Sequence, residues 1–204
     1  MARTGEIIKS EAMGSMMKML ITSADSDGEL LRMEVVQEKE AVAPPLHYHT
    51  KQTEDYEVLS GQLTLTMNGT EVVLDPGDKF HIPECAKHTF HATSAEPCRY
   101  IVDHRPALEF EDFMVTLYDL EYDGRSNEKG LPPFLHFAAI LNRHRGEQFV
   151  AGPPRLAQRL LQLVGAAVGK LRGYETTYRS KAREQAQVGI QQKFGDQPVS
   201  RSVP

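Results

Sequence analysis

Between residues 6 and about 120 the chain reads as a succession of short apolar segments, each stopped by turn residues, with no long helical period between them. Met17–Thr22 precedes a polar turn at Ser23–Gly28, and Leu30–Gln37 follows. Gly61–Met67 alternates apolar and polar residues, which puts Leu63, Leu65 and Met67 on one face of a strand. Asn68-Gly69 is the strongest short hairpin signal and joins that run to Thr70–Leu74. After the turn Asp75–Asp78 come Phe80–Pro83, His88–Ala92 and Cys98–Val102. Segments this short and this evenly spaced predict an all-β barrel or sandwich.

The whole chain has 204 residues, enough for one domain with an appendage. Its 40% hydrophobic and 25% charged residues are ordinary globular usage. The net charge of −5 hides a division. Residues 1–130 carry 12 basic and 24 acidic side chains, a net of −12, whereas 131–204 carry 11 and 4, a net of +7. Neither the total nor a basic helix-turn-helix pattern points to nucleic acid. Two cysteines make no disulfide framework, and no apolar run reaches the roughly 18 residues of a membrane span. The N-terminus lacks an apolar signal core, so the expected location is cytoplasmic.

The basic part reads as helical. Pro132-Pro133 suits a helix start before Phe134–Asn142, and Gly146 through Pro154 reads as a connection. Arg155–Gly173 is amphipathic: Leu156, Leu160, Leu163, Val164, Ala167, Val168 and Leu171 share one side, with Gln158, Gln162, Gly165, Gly169 and Arg172 on the other. The expected organisation is a β domain over 1–125, a helical extension over 126–184 and a flexible tail over 185–204. Three readings suit the 155–173 helix. It packs against its own barrel, it pairs two copies into a homodimer, or it makes weak membrane-surface contact beside Arg155, Arg159, Lys170 and Arg172.

The chemistry is concentrated in Pro44–Gly61. His47 and His49 are two apart, so on a strand both imidazoles face one point. Glu54, past a turn-like Thr50–Thr53, leads an alternating set with Tyr56 and Val58. Asp55 and Glu57 then face the other way, as solvated or interface residues. His88 supplies a fourth donor, at the head of a strand shared with Phe90 and Ala92. Neutral imidazoles with a carboxylate suit one divalent transition ion: Fe, Mn, Ni, Co, Cu or Zn.

This pattern resembles the cupin superfamily. The first family motif, HxH, three or four residues, E, six residues, G, is met by His47, His49, Glu54 and Gly61. The second is met at Gly77, Pro83 and His88, with Cys85 where the family has glycine and Ala92 where it has asparagine. Ala41 stands where a further glycine is expected. The resemblance covers roughly residues 15–105. It implies a mainly β, single-domain antiparallel barrel (a double-stranded β-helix jelly roll) with a metal bound by His47, His49, Glu54 and His88. The chain is similar to single-domain cupins related to quercetin-type dioxygenases. That implies oxygen-dependent oxidation or cleavage of a small enol or phenolic compound, with Glu54 as the catalytic proton acceptor by analogy. The alternatives are a metal-dependent isomerase, lyase or cyclase, and a non-catalytic module that binds a small molecule.

Tyr56, Met67, Phe90 and Tyr100 are expected to line the barrel as a substrate pocket, with His104 reaching it from the end of the Tyr100–Val102 strand. His81 and His91 are expected at the surface, Cys85 at a turn and Cys98 in the core.

Overall fold

Leu31, Met33, Val35 and Gln37 are buried while the residues between them are half-exposed, so this strand shows one face to the interior. The same period-two pattern runs along most of the strands and sets the architecture. The computed structural model describes residues 2–186. In chain order the elements are β1 (Ile7–Ser10), β2 (Ser15–Ile21), β3 (Leu31–Gln37), β4 (His47–His49), β5 (Thr53–Ser60), β6 (Leu63–Met67), β7 (Thr70–Leu74), β8 (Lys79–Ile82), β9 (His88–Ala92) and β10 (Cys98–Arg105). Then follow α1 (Phe110–Tyr122), α2 (Phe134–Arg143), β11 (Gln148–Val150) and α3 (Arg155–Arg172).

Two antiparallel sheets result. One has the order β1-β2-β3-β10-β5-β8 and the other β11-β4-β9-β6-β7. The fold is mainly β, as expected, but the sheets share no strand and do not close into a barrel. Ile8, Met19, Leu31, Leu63, Leu65 and Ile82 are fully buried between and beside them. Each contributes about 1.5–3 kcal/mol relative to exposure. The β6–β7 hairpin turns at Asn68-Gly69 with Met67 opposite Thr70, as the sequence predicts. Gly61 has a φ of 73°, and a Cβ there would lie 2.8 Å from the Cys98 Cα, which explains the motif glycine.

Two elements differ from the sequence reading. The stretch taken as strands up to about residue 120 ends in a helix, α1, with Phe113, Leu117 and Leu120 buried along it. Residues 146–154, read as a connection, contain β11, which pairs with β4 and extends the second sheet. A three-residue strand has too short a pattern to announce itself; its partner makes it.

Which side of α3 faces inward is a point the sequence readings leave open. Its polar and glycine side faces inward, where Gln162, Gly165 and Gly169 are buried. At Gly165 a Cβ would sit 2.6 Å from the Ala138 Cβ and 2.7 Å from the Ala139 nitrogen of α2. The glycine thus permits backbone-close helix packing that no larger residue allows. The apolar side faces out: Leu156, Leu160, Leu163, Val164 and Leu171 are 52–88% exposed. The helix therefore does not bury its apolar stripe on its own barrel.

After α3 the chain returns to the β domain. Arg183, on a helical turn at 181–186, is buried and donates through Nη1 to Glu6 Oε1 at 2.9 Å and through Nη2 to Asp119 Oδ2 at 3.0 Å, with Nε also on Asp119. Ser180 N donates to Asp119 Oδ2 at 3.0 Å. Of the expected 185–204 tail, residues 185 and 186 are helical and the remainder lies outside the described residues.

Candidate metal centre

The cross-strand register assembles the site. β4 and β9 are neighbours with His47 opposite His88, so the second sheet presents His47, His49 and His88 on one face. β5 and β10 are neighbours with Glu54 opposite His104, so the first sheet presents these two toward them. One donor atom each from His47, His49, Glu54 and His88 lie within 4.8 Å of one another. Ligands bound at about 2.1 Å reach at most about 4.2 Å apart, so a small contraction suits a single ion.

The hydrogen bonds leave the inner nitrogens available. His47 Nδ1 donates to the Pro45 carbonyl at 2.9 Å, and His88 Nδ1 to the Ala86 carbonyl at 3.0 Å. Each bond places the proton on Nδ1 and leaves the Nε2 lone pair for a ligand. His49 Nε2 lies 2.8 Å from Glu54 Oε1 and His88 Nε2 3.4 Å from Glu54 Oε2. Neither nitrogen makes a hydrogen bond of good geometry, although both are buried. Buried polar atoms without partners are costly, and a shared cation relieves that cost. The donor set fits a first-row divalent ion.

Electrostatics agree. Burial and the neighbouring His88 and His49 push the His47 imidazole down to about 3, so it stays neutral. Burial likewise lowers His49, against the opposing pull of Glu54. Burial alone would raise Glu54, but His104, His49 and His88 outweigh it and hold the carboxyl well below its usual range. For His88, burial disfavours the cation and the Glu54 carboxylate more than offsets it, so its pKa is raised. The buried carboxylate thus demands a positive partner, a proton or a metal ion. Tyr56 is buried, is held far above its usual range by burial and by Glu54, and donates to Glu54 Oε2 at 2.7 Å.

The remaining predicted residues fall as follows. Tyr56, Phe90 and Tyr100 form a triangle of rings with centroids 5.5–6.0 Å apart and line a chamber of about 270 Å³. That is near the lower end for small-molecule sites, roughly 300–1,000 Å³. The chamber reaches His47, Glu54 and His104 at one end. Its other walls come from Met17, Met33 and Val35 of the first sheet, from Phe110, Phe113, Met114 and Leu117 of α1, and from Phe137 and Leu141 of α2. Met67 is not among the lining residues; it stands opposite His88 at the end of the β6–β9 ladder, partly buried against the core. His104 is buried, 3.5 Å from Glu54 Oε1, and stacks on Phe110 with centroids 4.2 Å apart. It lies beside the four-donor cluster rather than within it. Cys98 is fully buried. Exposed Cys85 has a φ of 63°, the left-handed conformation for which the family uses glycine. His81 is exposed and lies 2.7 Å from Asp55, while Lys79 lies 3.2 Å from Glu57, so both acidic residues are on the outer face.

The α-helical wall is what the sequence reading lacked. Phe110, Phe113, Met114 and Leu117 keep an i, i+3, i+4, i+7 spacing that marks a helix face.

Similarity to known proteins centres on the segment that carries the four donors. The cupin domain family (Cupin_2) matches residues 33–103. Residues 33–103 are a cupin domain. This segment contains all four donors. A quercetin 2,3-dioxygenase of Bacillus subtilis is 37% identical over 78 residues, 38% of this chain and 22% of that protein. The chain therefore matches about a fifth of that curated relative. Among solved structures, KdgF from a Halomonas species is 24% identical, with 51% of this chain and 91% of that one covered and a TM-score of 0.44. A sugar phosphate isomerase of the cupin superfamily from Silicibacter pomeroyi is 24% identical, covering 46% of this chain and 61% of that one, with a TM-score of 0.41.

Proposed function

We propose that this protein is a metal-dependent oxidoreductase that uses dioxygen to oxidise or cleave a small, largely apolar enol or phenolic compound. The observation that carries this reading is a cluster of buried His49, Glu54 and His88 with half-buried His47, opening on a chamber walled by methionine, aliphatic and aromatic side chains. Bound by His47, His49, Glu54 and His88, a redox-active divalent ion supplies coordination of a substrate oxygen and one-electron chemistry. The likeness over 78 residues to a quercetin dioxygenase supports the same class.

The chain's own residues define what the site accepts. Lys129 is the single lysine or arginine among the described residues that line the chamber, so a phosphorylated substrate finds little compensation for its charge. Phe90 and Tyr100 offer flat apolar faces to a ring or an unsaturated chain. Glu54, held ionised, serves as the acceptor for an acidic enol or phenol proton. The Tyr56 hydroxyl keeps one of its oxygens in place. Phe110, stacked on His104, and Phe113 add apolar rings to the chamber lining beside Glu54.

The test is metal analysis of protein purified without chelators or a histidine tag, followed by oxygen-uptake assays on flavonol and diketone compounds. Iron, nickel, manganese or copper with substrate-dependent oxygen uptake supports the proposal. Zinc with turnover that ignores oxygen overturns it in favour of isomerase or lyase chemistry. A His47→Ala variant that keeps full activity overturns both.

A further inference from the structure

The most unusual feature outside the metal centre is the inverted burial of α3. Its glutamine and glycine side lies against α2, and Leu156, Leu160, Leu163, Val164 and Leu171 are left in solvent. A contiguous apolar stripe of this size marks a contact surface. Charge indicates what it contacts. The eighteen residues of α3 include Arg155, Arg159, Lys170 and Arg172 and no acidic residue. At 100° per residue, Arg159 and Lys170 border the stripe beside Leu163, and Arg172 borders its other edge. All four basic side chains are exposed. The segment 131–204 carries +7 against −12 for residues 1–130.

We infer that the exposed face of α3 docks this protein on an anionic lipid surface, with the leucines in the acyl boundary and the basic side chains among the headgroups. A bilayer interface offers an apolar phase and negative charge together, which is the complement of this face. A second copy fits less well. Joining two such stripes brings Arg159 and Lys170 of both chains to one seam, with no acidic side chain on either helix to pair them. No described helix is long and apolar enough to cross a membrane, so α3 lies on the surface rather than through it. The inference is independent of the metal chemistry.

The test is co-sedimentation of the full chain with vesicles of phosphatidylcholine alone and of phosphatidylcholine with phosphatidylglycerol. Pelleting with the anionic vesicles, reversed by salt, is the expected result. Leu160→Glu with Leu163→Glu reduces it by about tenfold or more while leaving the melting temperature and metal content in place. Lys170→Glu with Arg172→Glu, which spares the apolar stripe, reduces the preference for the anionic vesicles. Absence of pelleting with either vesicle overturns the inference, as does equal pelleting with both. A dimer seen by sedimentation velocity and dissolved by the same leucine variants also overturns it, because the face is then an interface between copies.

Discussion

The Tyr56 hydroxyl donates to Glu54 Oε2 at 2.7 Å, from two residues further along the same strand. Period-two geometry puts both side chains on the inner face, so the strand that supplies the carboxylate also supplies the group that orients it. Outer partners of this kind tune metal affinity about 10- to 100-fold. Tyr56→Phe is therefore expected to weaken metal binding by about tenfold with little change in fold. Competition against a chromophoric chelator measures it, and an unchanged affinity contradicts the orienting role.

The chamber's width is set in part by Met114 of α1. Met114→Trp fills space beyond the metal donors without touching them. Binding of an apolar dye such as Nile red should weaken by roughly tenfold, the scale on which small changes in pocket volume alter binding. Metal content should stay the same. Loss of metal together with dye binding would mean the substitution had disturbed the sheets instead.

At the α2–α3 crossing, Gly165 has no room for a side chain, with Ala138 and Ala139 within 3 Å of an added Cβ. Backbone atoms are among those neighbours, so the helices must part to admit one. Gly165→Val should cost about 1–3 kcal/mol, read as a lowered urea midpoint. A neutral result would show that α3 is not held against α2 in solution.

Arg183 ties the end of the described chain to Glu6 and Asp119 in a buried cluster. Burial opposes ionisation of Glu6, yet Arg179, Arg183 and the Arg3 amide outweigh it and lower its pKa. Arg183→Met leaves two carboxylates facing one another with less positive charge. A loss of about 3–5 kcal/mol is expected in chemical denaturation. The paired change Glu6→Gln with Asp119→Asn in that background should recover part of it.

His144, at the end of α2, is buried, and burial together with Arg143 lowers its pKa to about 4, with Asp112 opposing. Glu109 Oε2 lies 3.6 Å from its Nδ1. A depressed folded-state pKa means that the unfolded chain takes up a proton first. The stability contribution is present above about 6.5 and is lost as the pH falls toward about 4. His144→Gln should flatten the fall in melting temperature over that window. An identical pH profile in the two proteins would rule His144 out as its source.

The four donors were legible from spacing because each depends on a local rule. His47 and His49 share a strand face, Glu54 opens the next strand, and His88 opens a third. The same alternation carried the chamber residues Tyr56, Phe90 and Tyr100. It failed for Met67, where register in the second sheet, rather than face, decides whether a side chain reaches the chamber. The helical period of α1 was present in the residues but lay at the end of a run of strands. Its place over the site follows from contacts such as Phe110 on His104.

What the residue order determined by itself is the set of elements whose pattern is local: the alternating strands, the Asn68-Gly69 turn, the amphipathic α3 and the spacing of the four candidate donors. What only the tertiary structure decided is how those elements face one another. It brought three imidazoles from one sheet to a carboxylate on the other. It left the sheets unclosed, and it turned the leucines of α3 outward because Gly165 and Gly169 allow α2 a closer approach than a leucine face does. An amphipathic pattern says that a helix has two unlike sides. Which of them is buried depends on the shape of the neighbour, and that is a property of the folded molecule.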